Sequence, residues 1–149
     1  MRRSQTRLIP AGAAAVLLLT AGTALPARAD PARDAILTTY AAEARKEDSG
    51  FTGFDAARGQ ALYRGPHTGG KAETPACATC HTPDPTRAGQ HQKTGRSIEP
   101  MAVTANPARF TNAADVEKRF SRDCPAVLGR ACTAREKGDV ITYLLTGKP

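Results

Sequence analysis

Apolar side chains recur at helical spacing in two stretches of the amino-terminal half of the chain. Pro31 can begin the first helix, which the pattern carries to about Glu47, because proline is favoured in the first turn. Phe54 and Leu62 lie on one face of a second, shorter helix that ends near Gly65. Both stretches predict amphipathic helices that pack one face against a core.

Two further helices are predicted in the carboxyl-terminal half. Thr111 or Asn112 is placed to cap the first of them. Thr133 to Glu136 form a capping box, in which threonine and glutamate side chains bind backbone amides at the helix start. Gly147 is expected to end this last helix. Since no strand pattern stands out, the sequence predicts an all-α fold with long loops.

Residues 67–110, between the two pairs of helices, are rich in glycine, proline and threonine and show no sustained period. A structureless loop of that length is unusual in a compact domain unless something besides its own backbone holds it. The chain also has no tryptophan, four phenylalanines and three tyrosines, so its apolar core is small. We therefore expect a large bound cofactor to hold the loop and to complete the core.

The amino terminus has the features of a secretory signal peptide. Three arginines within the first seven residues precede an apolar run from Leu8 to about Leu25, and an A-x-A cleavage site ends at Ala29. A membrane anchor is disfavoured because polar and helix-breaking residues interrupt a run that is barely long enough to span a bilayer. We predict cleavage of residues 1–29, export to the periplasm, and a single domain over residues 30–149.

Charge excludes one class of partner. Loss of the leader removes four of the 21 basic residues and none of the 14 acidic ones, which lowers the formal net charge from +7 to +3. The remaining basic residues are interspersed with acids and lack interleaved aromatic residues, so nucleic-acid binding is not expected. No arrangement of nucleophile, acid and base indicates an enzyme.

Cys77, Cys80 and His81 form the motif C-x-x-C-H. Covalent haem attachment needs two thiols one helical turn apart, followed by an imidazole that binds the iron. The motif therefore predicts one haem c, attached through both thiols and ligated by His81.

Two other interpretations fit the motif less well. A zinc site would need Cys124 and Cys132 as further ligands, but seven residues separate them, where two to four are usual. A redox dithiol usually lies within a strand–helix–strand unit, for which the chain shows no pattern. Export to an oxidising compartment predicts instead that Cys124 and Cys132 form a disulfide.

From Gly69 to Leu145 the chain resembles the small family of monohaem c-type cytochromes typified by sphaeroides haem protein. The resemblance is carried by GGKAETPACATCH, TRAGQHQKTGRSIEP, NPARFTNAADVEKRF and RDCPAVLGRACTAREKGD. It implies a small class I cytochrome c fold with an extra amino-terminal helix and long loops around the haem.

The same resemblance implies contacts between elements that are distant in sequence. Gly59 and Tyr63 of the second helix are expected to meet Tyr143 and Leu144 of the last helix. Ile98 is expected to pack near the imidazole that binds the iron from the proximal side.

Identity of the sixth iron ligand is the main open question at the site. In the family the reduced iron is expected to be high spin and to bind gases, whereas the oxidised iron takes an asparagine just before the first disulfide cysteine. Here that position is Asp123. Met101 is the alternative, although it lies only 20 residues after His81. His67 and His91 are weaker candidates in polar, glycine-rich surroundings.

The resemblance implies a function in electron exchange and gas binding rather than in enzyme catalysis, with slow oxygen reactivity still compatible. We expect an exported monohaem cytochrome that binds O2, NO or CO at an open or weakly ligated sixth position. The expected partners are a dihaem c-type cytochrome and a membrane b-type cytochrome. The alternative is a simple electron-transfer cytochrome with His/Met ligation through Met101.

Overall fold

The computed structural model describes Met1 and residues 30–149. The predicted signal peptide and its cleavage after Ala29 lie outside the described residues, apart from Met1. Within the part of the chain that is described, no helix is both long enough and apolar enough to cross a membrane.

The described chain is mostly helical, in agreement with the predicted class. One long loop carries a single helical turn and a short hairpin of two antiparallel strands. The elements in chain order are α1 (Pro31–Glu47), α2 (Ala56–Arg64), α3 (Ala78–His81), β1 (Gly89–Gln90), β2 (Ser97–Ile98), α4 (Ala113–Leu128) and α5 (Ala134–Thr146).

Polar caps define where the long helices begin. Asp30 accepts hydrogen bonds from two amides of the first turn of α1, and Asn112 accepts one at the start of α4. Thr133 and Glu136 make both hydrogen bonds of the capping box at α5. Gly147 ends α5 in the left-handed conformation, with φ of 62°, which favours glycine. These observations confirm the predicted starts of α1, α4 and α5 and the predicted end of α5.

Helix α2 begins only at Ala56, after its cap Asp55. Phe54 therefore precedes this helix and was wrongly predicted to lie on one of its faces.

Helices α2 and α5 cross at very short range. A Cβ atom at Gly59 would lie 2.0 Å from the carbonyl oxygen of Asp139, so only glycine allows this approach. One turn further along α2, the rings of Tyr63 and Tyr143 pack with their centroids 5.5 Å apart. Leu144 belongs to the same buried cluster. The contact expected between these helices is therefore confirmed.

Helix α1 supplies the extra amino-terminal element that the resemblance implied. Ile36 and Tyr40 on its inner face pack with Val116 of α4 and Ile141 of α5. Arg33 lies on the same face and is only 2% exposed.

The guanidinium of Arg33 donates hydrogen bonds to the carbonyl oxygens of Pro107 and Arg109, at 2.7 to 3.1 Å. Helix α1 is thus tied to the loop that leads into α4. Sequence analysis did not single out Arg33, because the spacing of apolar residues gives no signal for where a guanidinium binds.

The hairpin β1–β2 was not predicted. Gly89 pairs with Ile98 and Gln90 pairs with Ser97. Two residues in a strand are too few to produce an alternating apolar pattern, so this small sheet left no signal in the sequence. It gives the long loop a fixed fold next to α3.

Candidate functional site

The C-x-x-C-H motif forms one turn of helix around α3. The amides of Cys80 and His81 both donate to the carbonyl oxygen of Cys77, at 3.3 and 3.1 Å. Cys77 and Cys80 are free, half-buried thiols. One turn of helix is the spacing that covalent attachment to a haem requires.

The Cys77 thiol is poorly suited to redox exchange. Burial, followed by the negative charge of Asp123, raises the pKa of Cys77 to about 11. A catalytic dithiol instead needs a thiol whose pKa is lowered, because the thiolate is the nucleophile. This environment argues against the redox-dithiol interpretation.

The imidazole of His81 is held in its neutral form. The pKa of His81 is lowered to about 4, mainly by burial; the charge of Asp123 opposes this shift, and the charges of Arg109, Arg119 and Arg122 add to it. Nδ1 is buried and has no hydrogen-bond partner among the described residues. A neutral imidazole is the form that ligates a metal.

A buried tyrosine holds the end of the motif turn. The single O–H of Tyr63 is shared between the carbonyl oxygens of His81 and Thr82, at oxygen–oxygen distances of 2.9 and 3.1 Å. Sequence analysis predicted the packing of this ring but not the role of its hydroxyl. Helical periodicity places a side chain on a face and carries no signal for where its polar tip binds.

The β-hairpin lies against the motif helix. A Cβ atom at Gly89 would lie 2.1 Å from the carbonyl oxygen of Cys80 and 2.9 Å from Cα of His81. Ile98 is the strand partner of Gly89. The hairpin therefore places Ile98 one strand away from α3, and its packing near the imidazole of His81 stays a prediction.

Asp123 lies in α4, and its charge acts on both the Cys77 thiol and the His81 imidazole. Residues from α3 and α4 that are far apart in sequence are therefore brought into one electrostatic environment. The carboxylate is half-buried and pairs with the guanidinium of Arg122, with Nε–Oδ1 and Nη2–Oδ2 distances of 2.7 and 3.2 Å.

Met101 is half-buried and contributes to packing. Its side chain packs against the apolar cluster that contains Tyr63 and Tyr143. The amides of Met101 and Ala102 donate to the carbonyl oxygen of Pro85, at 2.9 and 2.8 Å. These contacts account for a methionine at this position as a filler of the core.

The two remaining histidines make local contacts. Nε2 of His67 lies 2.9 Å from the carbonyl oxygen of Leu62. Nδ1 of the exposed His91 accepts a hydrogen bond from the amide of Thr94, at 3.2 Å. Both rings are thus engaged within their own segments of the chain.

A disulfide joins Cys124 to Cys132, with Cα atoms 5.6 Å apart. It links α4 to the start of α5, and it lies directly after Asp123 in the chain. Because both sulfur atoms are used in this bond, neither is available as a thiolate ligand for zinc. No group of three or more His, Cys, Asp or Glu side chains within the described ranges is placed to hold a metal ion.

Comparison with known proteins decides the family. Residues 49–144 match the model of a family described as a domain of unknown function, DUF1924. Over 90 residues the chain is 52% identical to cytochrome c-type protein SHP of Cereibacter sphaeroides, a match that covers 60% of this chain and 69% of that protein. The chain belongs to the SHP family of cytochromes c.

Solved structures agree with membership of the SHP family. The structure of oxidised SHP, described as an oxygen-binding cytochrome c, matches with a TM-score of 0.71 and 43% identity, over 79% of this chain and 99% of that one. The crystal structure of oxidised cytochrome c'' from Methylophilus methylotrophus matches with a TM-score of 0.67 and 31% identity, over 77% and 94% of the two chains. In sequence, cytochrome c'' is 44% identical over 71 residues, 48% of this chain and 49% of that protein.

Membership of the SHP family implies a covalently bound haem c, and the site fits this group. Two free thiols one helical turn apart and a neutral imidazole directly after them are the donor set that haem c uses. Gly89 brings the backbone of β1 close to the backbone of Cys80 and His81.

Proposed function

We propose that this protein is an exported monohaem cytochrome c that carries an electron and binds a diatomic gas at its sixth iron position. Haem would be attached through Cys77 and Cys80 and ligated by His81. The haem supplies one-electron chemistry at the iron and, where an axial position is open, a site for O2, NO or CO.

The observation that carries the proposal is the single helical turn that unites the two free thiols and the neutral imidazole of His81. Homology supports the gas-binding part, because the relative SHP is described as an oxygen-binding cytochrome c. Packing of Met101 against the core cluster supports an open sixth position, since a side chain used in packing has less freedom to reach an iron.

Asp123 is proposed as the residue at the sixth position of the oxidised iron. Support comes from its location directly before the disulfide cysteine Cys124 and from its electrostatic influence on His81. A carboxylate is a hard, anionic ligand that favours ferric over ferrous iron. Reduction would weaken this interaction and leave the position accessible to a neutral gas.

Export and partner proteins complete the proposal. The predicted leader supports a location in the periplasm, where covalent haem and the Cys124–Cys132 disulfide are both stable. A dihaem c-type cytochrome and a membrane b-type cytochrome are proposed as electron-transfer partners. A brief, small interface is sufficient for such transfer.

Optical and EPR spectroscopy of the protein, coexpressed with haem-attachment machinery, tests the proposed function. The spectra are recorded for the ferric, the ferrous and the carbon monoxide-treated ferrous forms. We expect a covalent haem that is high spin when ferrous and that binds carbon monoxide at once.

A low-spin ferrous haem that ignores carbon monoxide would contradict gas binding. Together with a far-red thioether band in the ferric spectrum, it would identify Met101 as the ligand and the protein as an electron carrier. Absence of covalent haem from the parent protein would contradict the entire proposal. A Cys77→Ala/Cys80→Ala variant provides the control for non-covalent haem.

A further inference from the structure

Tyr63 is held rigidly beside the motif. The residue is 1% exposed, and its ring packs on Tyr143 with the centroids 5.5 Å apart. The single O–H of Tyr63 is shared between the carbonyl oxygens of His81 and Thr82. This hydroxyl therefore holds the peptide groups on both sides of Thr82.

Thr82, directly after the histidine, has an unusual backbone conformation, with φ of 61° and ψ of 153°. This region is used almost only by glycine, so it is strained for any other residue. Such a conformation persists only where neighbouring contacts impose it. One is the hydrogen bond from Tyr63 to the Thr82 carbonyl, and another is the hydrogen bond from the Thr82 hydroxyl to the carbonyl of Asp84.

The His81 ring depends on this backbone for its orientation. Iron-binding histidines are commonly oriented by a hydrogen bond to their second ring nitrogen. Within residues 30–149, however, Nδ1 of His81 has no such partner. The backbone at the end of α3, which Tyr63 holds, is therefore one determinant of the direction of the imidazole.

We propose that Tyr63 is a positioning residue for the axial histidine. Its hydroxyl acts through the carbonyl groups of His81 and Thr82 to set the orientation of the imidazole that ligates the haem iron. This inference rests on the proposed function, since it requires a haem bound by His81.

Tyr63→Phe removes the hydroxyl and keeps the packed ring. We expect this variant to retain covalent haem and to melt about 2–8 °C below the parent, as the loss of a buried hydrogen-bonding hydroxyl does in a domain of this size. The iron–histidine stretching band in resonance Raman spectra of the photolysed carbon monoxide complex should shift or broaden. The rate of carbon monoxide rebinding should change at least about twofold, since a reoriented ligand alters the barrier at the iron.

Tyr143→Phe is the matched control. Its ring is the neighbour of Tyr63, it is equally buried, and its hydroxyl makes no hydrogen bond with α3 in the described part of the chain. We expect an unchanged iron–histidine band in this variant, whatever its melting temperature. An equal shift in both variants would show general loosening of the core and would overturn the positioning role.

Thr82→Gly supplies a second test. Glycine adopts the conformation of Thr82 without strain, so the turn depends less on Tyr63. The Raman shift caused by Tyr63→Phe should then be smaller in the Thr82→Gly background than in the parent. This double variant also keeps the test possible where Tyr63→Phe alone accumulates poorly.

Two negative results have different meanings. Tyr63→Phe protein with the parent band position and rebinding rate would overturn the positioning role and leave the proposed function intact. A parent without covalent haem would overturn both. The haem content of the parent therefore separates the two failures.

Discussion

Single side chains at the site take their chemical properties from burial and from neighbouring charges. Burial lowers the pKa of His81 and raises the pKa of Cys77, so both groups are kept neutral. Asp123 is half-buried and influences both of them. The family resemblance implies an asparagine at this position, so a carboxylate here is the main departure of this site from the family pattern.

Asp123→Asn tests the contribution of this carboxylate at the iron. Removal of an anion that favours ferric iron should raise the reduction potential by at least about 60 mV, equivalent to a tenfold change in preference for one electron. The potential is measured by spectroelectrochemical titration. Met101→Leu is the control and should leave both the potential and the ferric spectrum close to those of the parent.

A ferric spectrum that stays the same in Asp123→Ala would rule out ligation by this residue. Loss of a far-red ferric band in Met101→Leu would instead identify the thioether as the ligand. The two substitutions therefore separate the proposed site from its alternative.

At the scale of secondary structure, the chemistry of nearby side chains sets where each helix begins and ends. The shapes of the helix surfaces set which helices pack together. Caps at Asn112 and Thr133, and glycine at Gly147, were recognisable because each acts within a few residues of itself. The crossing at Gly59 was expected only through the resemblance. Periodicity identifies a face on each helix and does not identify the helix that packs against it.

Gly59→Ala gives a test of the crossing in which two effects have opposite sign. Helix propensity alone would make alanine about 1 kcal/mol more stable than glycine. The added Cβ would lie 2.0 Å from the Asp139 carbonyl oxygen, so α2 and α5 must separate. We expect destabilisation of about 1–3 kcal/mol in denaturant unfolding. A more stable Gly59→Ala protein would contradict the close crossing.

Glu136 should make the stability of α5 depend on pH. A hydrogen-bonded ion pair with Arg130, with distances of 2.7 and 2.8 Å, holds the pKa of Glu136 below its usual value. The unfolded chain therefore binds this proton more readily. The stabilisation is complete above the usual glutamate pKa of about 4.3 and is lost as pH falls through the lower folded value.

Glu136→Gln keeps an amide oxygen for the capping box but loses the ion pair. We expect it to be about 0.5–1 kcal/mol less stable than the parent at neutral pH, a small effect because Arg130 is largely exposed. The difference should shrink as pH falls below the usual glutamate pKa of about 4.3. Glu73→Gln, at an exposed position, is the control and should match the parent throughout. A difference at Glu136 that did not depend on pH would contradict the ion-pair explanation.

For the molecule as a whole, the disulfide and Arg33 connect elements that are separate along the chain. Cys124–Cys132 joins α4 to α5, and Arg33 ties α1 to the loop before α4. Both connections lie around the segment that separates Met101 from Asp123. They limit how far α4 can move relative to α1 and α5.

Replacement of both Cys124 and Cys132 by serine should lower the free energy of unfolding by about 2.5 kcal/mol, the chain-entropy value for a loop of this length. The midpoint of guanidinium unfolding measures the loss. Mild reduction of the parent should have the same effect and leave the thioether-bound haem attached. An unchanged midpoint would show that packing of α4 on α5 is sufficient by itself.

Local signals in the sequence determined the positions of the helices, their caps and the cofactor motif. They also showed that Cys124 and Cys132 lie outside that motif. Each signal depends on residues separated by one or two turns of chain, so the pattern alone is informative. The hairpin β1–β2 was missed because two residues per strand make no pattern.

Only the tertiary structure decided which distant groups meet. The hydrogen bond from the Tyr63 hydroxyl to the His81 carbonyl depends on how the helices cross and where a loop is held. The electrostatic influence of Asp123 on His81 depends on the same packing. A buried polar contact is satisfied in three dimensions, and its partner is set by packing rather than by spacing along the chain. The chemistry of this site could thus be read from sequence, whereas the orientation of its ligand could not.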